Sequence, residues 1–191
     1  DMLRVTGFLE FKIVKETASD VLAYVLQNLT HPEGGFYSAE DAESAPDAAK
    51  PGEKEEGAFY VWTKHEIDSI LSPEEAAFFN RYFGVEESGN VAEDPHGVFQ
   101  GKNILHIVQS IGDASTAAGM SDEQAKEMLA SSRQKLAAGR SMRPRCHLDD
   151  KILTSWNGLM ISAFARAYQV LGEEEYLHVA EKAATFVLSH L

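Results

Sequence analysis

Residues 144–158 read Pro-Arg-Cys-His-Leu-Asp-Asp-Lys-Ile-Leu-Thr-Ser-Trp-Asn-Gly, which places His147, Asp149, Asp150 and Lys151 within five positions at the entrance of a helix. A histidine beside carboxylates can have its pKa tuned for proton transfer, and a lysine can hold an anion or a hydroxyl. The same residues also have a structural reading. Asp150 or Thr154 can serve as the helix N-cap, with Asp149 favoured by the positive end of the helix dipole. That dipole disfavours an imidazolium at His147 while the two aspartates favour it, a balance suited to a proton shuttle. Trp156 and Asn157 follow. A tryptophan face stacks well on a sugar ring and an Asn side chain both donates and accepts, although Trp156 also reads as a core anchor.

A second group is Gly34-Gly35-Phe36-Tyr37-Ser38-Ala39-Glu40-Asp41. The glycines permit a tight turn, and the next residues deliver Tyr37, Glu40 and Asp41 in quick succession. Paired carboxylates suit general acid–base work on glycosides. They equally suit a solvated loop, because Glu43, Asp47, Glu53, Glu55 and Glu56 prolong the charge run. Phe59, Tyr60 and Trp62 alternate with smaller residues, so one face packs on helices while the other offers aromatic surface. Asn90, His96, Asn103 and His106 are polar candidates without defined spacing, and His178 and His190 read as surface residues. There is no HExxH, no phosphate-binding glycine loop and no EF-hand pattern, so neither a metal nor a nucleotide cofactor is expected.

Helices must position these groups. Apolar positions from Phe11 to Leu29 recur at helical spacing across residues 8–29. Thr63 with Glu66, Ser72-Pro73 with Glu75, and Ser121 with Gln124 are capping-box signatures that open three further helices. Short strands are predicted at Gly35–Ser38 and Ala58–Trp62, an inserted β-hairpin and acidic loop spanning 34–62. Residues 85–120 form an irregular rim segment. Trp156, Leu159, Met160, Ala163, Ala167 and Val170 make one apolar stripe; beyond Gly172, Tyr176, Val179, Ala180, Ala183, Val187 and Leu188 make the next. Aligning Val5-Thr6-Gly7 with Val170-Leu171-Gly172 also pairs Phe11 with Tyr176 and Val14 with Val179. An αα-hairpin is thus stated twice, and such hairpins stack because one alone cannot bury its apolar face. The fold class expected is mainly α: residues 1–191 as part of an incomplete α/α toroid, whose apolar faces at 8–29 and 173–191 meet remaining segments or another chain.

The 191 residues carry 17 basic against 30 acidic side chains, a net charge of −13. That balance argues against nucleic acid and anionic membrane surfaces as partners. The lone Cys146 excludes an internal disulfide and fits a reducing, cytoplasmic setting. No apolar run reaches the ~18 residues of a membrane span. Neither Asp1-Met2-Leu3-Arg4 nor His190-Leu191 reads as a natural terminus.

Four segments, in order, carry a resemblance: Gly34–Glu43 (GGFYSAEDAE), Phe59-Tyr60-Val61-Trp62, Gly101-Lys102-Asn103-Ile104-Leu105 and His147–Leu159 (HLDDKILTSWNGL). Together they resemble the YyaL/spermatogenesis-associated protein 20 family over nearly the whole chain. The resemblance implies a much longer protein, in which a thioredoxin-like domain precedes a six-hairpin toroid similar to glycosidases and N-acylglucosamine 2-epimerases, and a chain corresponding to a middle section of that toroid. It implies a cavity for a sugar-like ligand, with Asp41, His147 and Asp149 in catalytic roles. Tyr37, Glu40, Trp62, Asp150, Lys151, Trp156 and Asn157 would bind substrate. The other function class is a non-catalytic toroid that binds a partner protein or presents the redox domain of the longer chain.

Overall fold

Local capping chemistry sets most helix starts in the computed structural model, which describes residues 2–95 and 97–191, with side chains from Val14 onward. Helices α2 (Lys64–Ile70), α3 (Pro73–Tyr82) and α5 (Asp122–Arg140) open with full capping boxes on Thr63, Ser72 and Ser121, as their sequences predict. In each, the cap oxygen accepts from the third backbone amide while that residue's side chain accepts from the cap amide. The remaining elements are α1 (Met2–Asn28), β1 (Ala39–Glu40), β2 (Glu43–Ser44), β3 (Glu55–Glu56), α4 (Ile111–Ala118), β4 (Leu148–Asp149), α6 (Thr154–Leu171) and α7 (Glu174–His190). The protein is mainly helical with very short strands. Among the described residues, no helix is long and apolar enough to cross a membrane.

The chain divides into two compact units, one comprising residues up to Glu40 together with Leu148–Leu191, the other Asp41–His147. In the first, α6 and α7 form an αα-hairpin turned at Gly172, whose φ of 76° is the left-handed cap that glycine accepts without strain. Leu22, Val25, Phe36, Phe164, Tyr176, Ala180 and Ala183 make its core. In the second unit, Ile67, Leu71, Ala76, Phe78 and Phe79 pack against Ala114, Ala125, Leu129 and Leu136.

Several expectations need correction. Gly7 does not turn the chain, because α1 runs through it; a lone glycine inside a helix costs only about 1 kcal/mol against alanine. The small β-hairpin is present, but it is β2 against β3, with Ser44 opposite Glu55, in the acidic stretch rather than at 35–38 and 58–62. Phe36 and Trp62 make isolated bridges only, to Thr30 and Asn103. Residues 85–120 contain α4, capped by Ser110 and closed by Gly119. Helix α6 starts after Leu153 without a side-chain cap, so neither Asp150 nor Thr154 is its N-cap.

The apolar stripe of α6 is docked only in part, through Met160 and Ala167, which pack against the core. Phe164 and Asn157 are buried, whereas Trp156, Leu159 and Val170 are 54%, 73% and 53% exposed. The α7 face is buried on this unit through Tyr176, Ala180, Ala183 and Phe186. Val14 and Val21 of α1 remain exposed, and with Ala163, Ala167 and Val170 they border an apolar groove of about 600 Å³.

The acidic end of α3 gives a test of its docking on α5. Lys135 Nζ lies 2.6 Å from Glu75 Oε1, and that ammonium, followed by the Ser72 amide, pushes Glu75 down from 4.5 to about 2. A depressed carboxylate stabilises the fold above its ordinary pKa, and this contribution is lost as pH falls from 4.5 towards about 2. Replacing Lys135 by Met should move the Glu75 titration back towards 4.5 in a carboxyl-detected NMR experiment; an unmoved titration would remove the ion pair from the account.

Candidate functional site

The Gly34-Gly35-Phe36 turn is locked before any polar residue is placed. A Cβ on Gly35 would lie 2.6 Å from the Phe186 ring, and one on Gly34, at φ 122°, would lie 2.9 Å from the Lys182 carbonyl oxygen. Only glycine lets α7 approach the turn this closely. Phe36 then stacks on Phe164 with ring centroids 5.5 Å apart. Its backbone N–H donates to Asn157 Oδ1 at 2.7 Å. Asn157 Nδ2 returns a bond to the Phe36 carbonyl at 3.0 Å and gives another to the Leu153 carbonyl at 3.1 Å. At 1% exposure, with its amide engaged on the backbone, Asn157 is a structural clip rather than the substrate-binding residue the sequence suggested.

From this clip the chain runs into a two-residue ladder that joins the two motifs. The Tyr37 amide donates to the Leu29 carbonyl at 2.8 Å and the Ser38 amide to the Asp149 carbonyl at 3.2 Å. Ala39 lies opposite Asp149, and Glu40 opposite Leu148. Ser38 Oγ donates to the Lys151 carbonyl at 2.7 Å. Residues directly opposite share a face and neighbours alternate, so Glu40 and Asp149 project from opposite faces of the ladder. Each finds a different partner. Tyr24 on α1, which sequence reasoning missed, donates its hydroxyl to Glu40 Oε2 at 2.5 Å, while Lys151 Nζ pairs with Asp149 Oδ2 at 2.9 Å. Tyr37 meets His31 edge-on at 5.7 Å. Asp150 is exposed, and the half-exposed Trp156 offers a ring face on the first turn of α6 instead of anchoring the core.

Asp41 and His147 belong to the second unit, where the Asp41 amide donates to the His147 carbonyl at 2.8 Å. Asp41 Oδ1 accepts from the Glu43 amide at 3.3 Å, and Lys54 Nζ lies 3.4 Å from Oδ2. The Glu43 amide first, and then Lys54, hold the Asp41 carboxyl below its ordinary range, so it is an ionised group suited to a base or a nucleophile rather than an acid. His147 is exposed, and α6 begins only at Thr154. The helix dipole falls off within one turn, which removes it from the balance expected at His147.

Other candidates in this unit have structural work. Trp62 is 3% exposed, with the Arg143 guanidinium 4.0 Å over its ring, so it is a core residue and not an open stacking platform. Phe59 is buried and Tyr60 is 40% exposed, the division between faces that their alternation predicts. Buried Asn103 donates to the Trp62 and Glu86 carbonyls and accepts from the Glu86 amide at 2.8 Å. Asn90 holds both backbone groups of Ile104, and His106 Nδ1 approaches the Ile104 carbonyl. His96 lies outside the described residues. Among the described residues, no cluster of three or more His, Cys, Asp or Glu side chains is placed to hold a metal ion.

The ladder and its clip define a mainly α-helical protein in which two polar motifs, remote in sequence, are fastened together by backbone pairing. No family model matches the chain. Spermatogenesis-associated protein 20 of Homo sapiens is 36% identical over 188 residues, which cover 92% of this chain and 24% of that protein. The Rattus norvegicus protein of the same name is 37% identical, again over 92% of this chain and 23% of its own length. An uncharacterised Caenorhabditis elegans protein is 40% identical over 91% of this chain and 25% of its own. The chain belongs to the spermatogenesis-associated protein 20 family, and it spans between 23% and 25% of the length of these relatives.

Two measurements check this geometry. Replacing Asn157 by Ala leaves the buried Phe36 N–H and C=O without their partner and should destabilise the protein by about 2–5 kcal/mol in urea unfolding; a loss below about 1 kcal/mol would show that the clip is dispensable. Replacing Lys54 by Ala should raise the Asp41 pKa only part of the way to its ordinary value, because the Glu43 amide is the larger cause of the depression. A complete return, read by NMR titration, would reverse that order.

Proposed function

We propose that this chain forms part of a carbohydrate-active toroid, and that the joined motifs bind a sugar-like ligand. The observation that carries the reading is Trp156. An indole on the first turn of α6 that is 54% exposed, five residues beyond the Asp149–Lys151 ion pair, supplies the ring face and the hydrogen-bonding charges that a sugar needs. Tyr37, Glu40 and Asp150 add polar groups to the same unit. In a glycosidase, one carboxyl protonates the leaving oxygen while another acts as base or nucleophile; within the Asp41–His147 unit, taken by itself, the ionised Asp41 fits only the second role. In a 2-epimerase, His147 would move a proton at the carbon beside a carbonyl. Remaining segments of the longer protein would cover the apolar groove beside α1. A cytoplasmic location goes with this reading, since a lone cysteine needs no oxidising compartment.

A non-catalytic scaffold is the second reading. It is favoured by the way the candidate charges already hold one another: Asp41 has Lys54, and Asp149 has Lys151. A scaffold needs no ligand to satisfy them.

Glycan-array binding by the full-length protein, followed by calorimetry on each hit, separates the two. The sugar reading expects a hit whose affinity falls about three- to tenfold in Trp156→Ala and falls again in Asp149→Ala, with thermal melts close to wild type. If no glycan binds, or if Trp156→Ala leaves the affinity unchanged, the scaffold reading takes its place.

A further inference from the structure

The turn that follows β3, within the Asp41–His147 unit, carries opposite charges at its two ends. Glu56 ends β3 directly opposite Glu43 of β2, so two carboxylates stand on one face of that ladder, an unfavourable pairing. Neither has an ion-pair partner among the described residues. Gly57 then turns the chain at φ 70°, and the Tyr60 amide donates to its carbonyl at 2.8 Å. A Cβ on Gly57 would lie 3.3 Å from the Phe99 ring, which seats that ring against the glutamate end of the turn. Asp94 fixes it there, since Oδ2 accepts from the Phe99 amide at 2.7 Å.

At the other end, the Arg140 guanidinium rests over the Phe59 and Tyr60 rings, 5.6 and 5.4 Å from their centroids. Ring faces position a cation without neutralising it, and among the described residues no hydrogen bond or ion pair occupies its fork. Arg143 keeps the turn rigid by donating to the Ala58, Phe59 and Val61 carbonyls. Glu56 and Arg140 border one open cavity of about 500 Å³, within the range of small-molecule sites, yet they do not pair across it. Along its wall Tyr60 is 40% and Ile104 50% exposed, and Phe99 is partly exposed. A ligand can therefore reach these side chains from outside, unlike the closed core beneath them.

We infer that this cavity binds a small zwitterion with a flat apolar body, its carboxylate on the Arg140 fork, its ammonium at Glu56 and its body on Tyr60, Phe99 and Ile104. A ligand of both signs satisfies two protein charges that do not reach each other. A ligand of one sign meets a single partner and is repelled by the other. The ammonium also relieves the repulsion between Glu56 and Glu43, and the planar guanidinium suits a carboxylate. The site uses none of the residues proposed to bind sugar, so either reading can fail without the other.

Calorimetry of the full-length protein at low salt, where exposed charges are least screened, tests the inference with three probes. These are para-(aminomethyl)benzoate, benzoate, which lacks the ammonium, and benzylamine, which lacks the carboxylate. The zwitterion should bind at least about threefold more tightly than either. Arg140→Gln should weaken the zwitterion and benzoate about tenfold or more and leave benzylamine no weaker. Glu56→Gln should give the crossed result, weakening the zwitterion and benzylamine about threefold or more and leaving benzoate no weaker. Such a crossed pattern cannot come from a general loss of structure. No binding of the zwitterion, binding no tighter than that of a singly charged probe, unchanged affinity in either variant, or equal weakening of all three probes would each overturn the proposal.

Discussion

Phe36 and Asn157 stand 121 positions apart, and the paired bonds between one buried side-chain amide and one backbone unit hold the first unit in register. A buried amide left unpaired costs ~1–3 kcal/mol per group, so the arrangement tolerates little slippage. Once Phe36 is held, its ring lies on Phe164, and the tight glycine turn before it brings the chain under α7. The residues after it can then reach only one register: Tyr37 returns to Leu29, Ser38 meets Asp149, and Glu40 lies opposite Leu148. The polar groups are therefore placed by an apolar stack and a neutral clip, not by their own charges. Surface ion pairs such as Lys151–Asp149 contribute little to stability, which leaves them available for recognition.

This division explains what could be read from the chain alone. Capping boxes on Thr63, Ser72 and Ser121 are local; every donor and acceptor lies within three residues, and the helices start where the sequence says. The α6–α7 turn at Gly172 is local too. The Ser110–Asp113 cap and Gly119 stop of α4 are equally local, but they are embedded in a glycine-containing stretch whose weak apolar periodicity hides the helix between them. The ladder was not legible, because nothing near Ala39 specifies Asp149 as its partner. Two-residue strands carry no alternation long enough to detect. Neither was the rotation of α6: Trp156, Leu159 and Val170 form a convincing stripe, yet Phe164 and Asn157 decide which side docks.

The candidate site shows the same split. Its residue types were visible as motifs, and the structure brings the two motifs together through backbone pairing. The role of Asn157 was not visible, since an asparagine that binds a ligand and one that clips a strand look alike until the partner is known. Tyr24 gave no signal either: it lies on α1, far from both motifs, and only the tertiary fold brings its hydroxyl to Glu40.

Arg140 and Arg143, one turn apart at the end of α5 and just beyond it, show how one side-chain type can serve opposite ends. Burial draws the pKa of Arg143 down while Glu66 opposes that effect. Burial likewise pushes Glu66 up, but the Thr63 amide and hydroxyl and then Arg143 outweigh it and leave the carboxylate below its ordinary value. A half-buried guanidinium is kept only if its donors are met, and the three carbonyls from Ala58 to Val61 meet them. The aromatic segment is thereby tied down, with Trp62 beneath the Arg143 cation. That rigidity gives Arg140 a fixed pair of rings to rest on. The committed arginine thus ties down the rings on which Arg140 rests, and a lysine at 143 would lack the planar fork that reaches the carbonyls and Glu66 together.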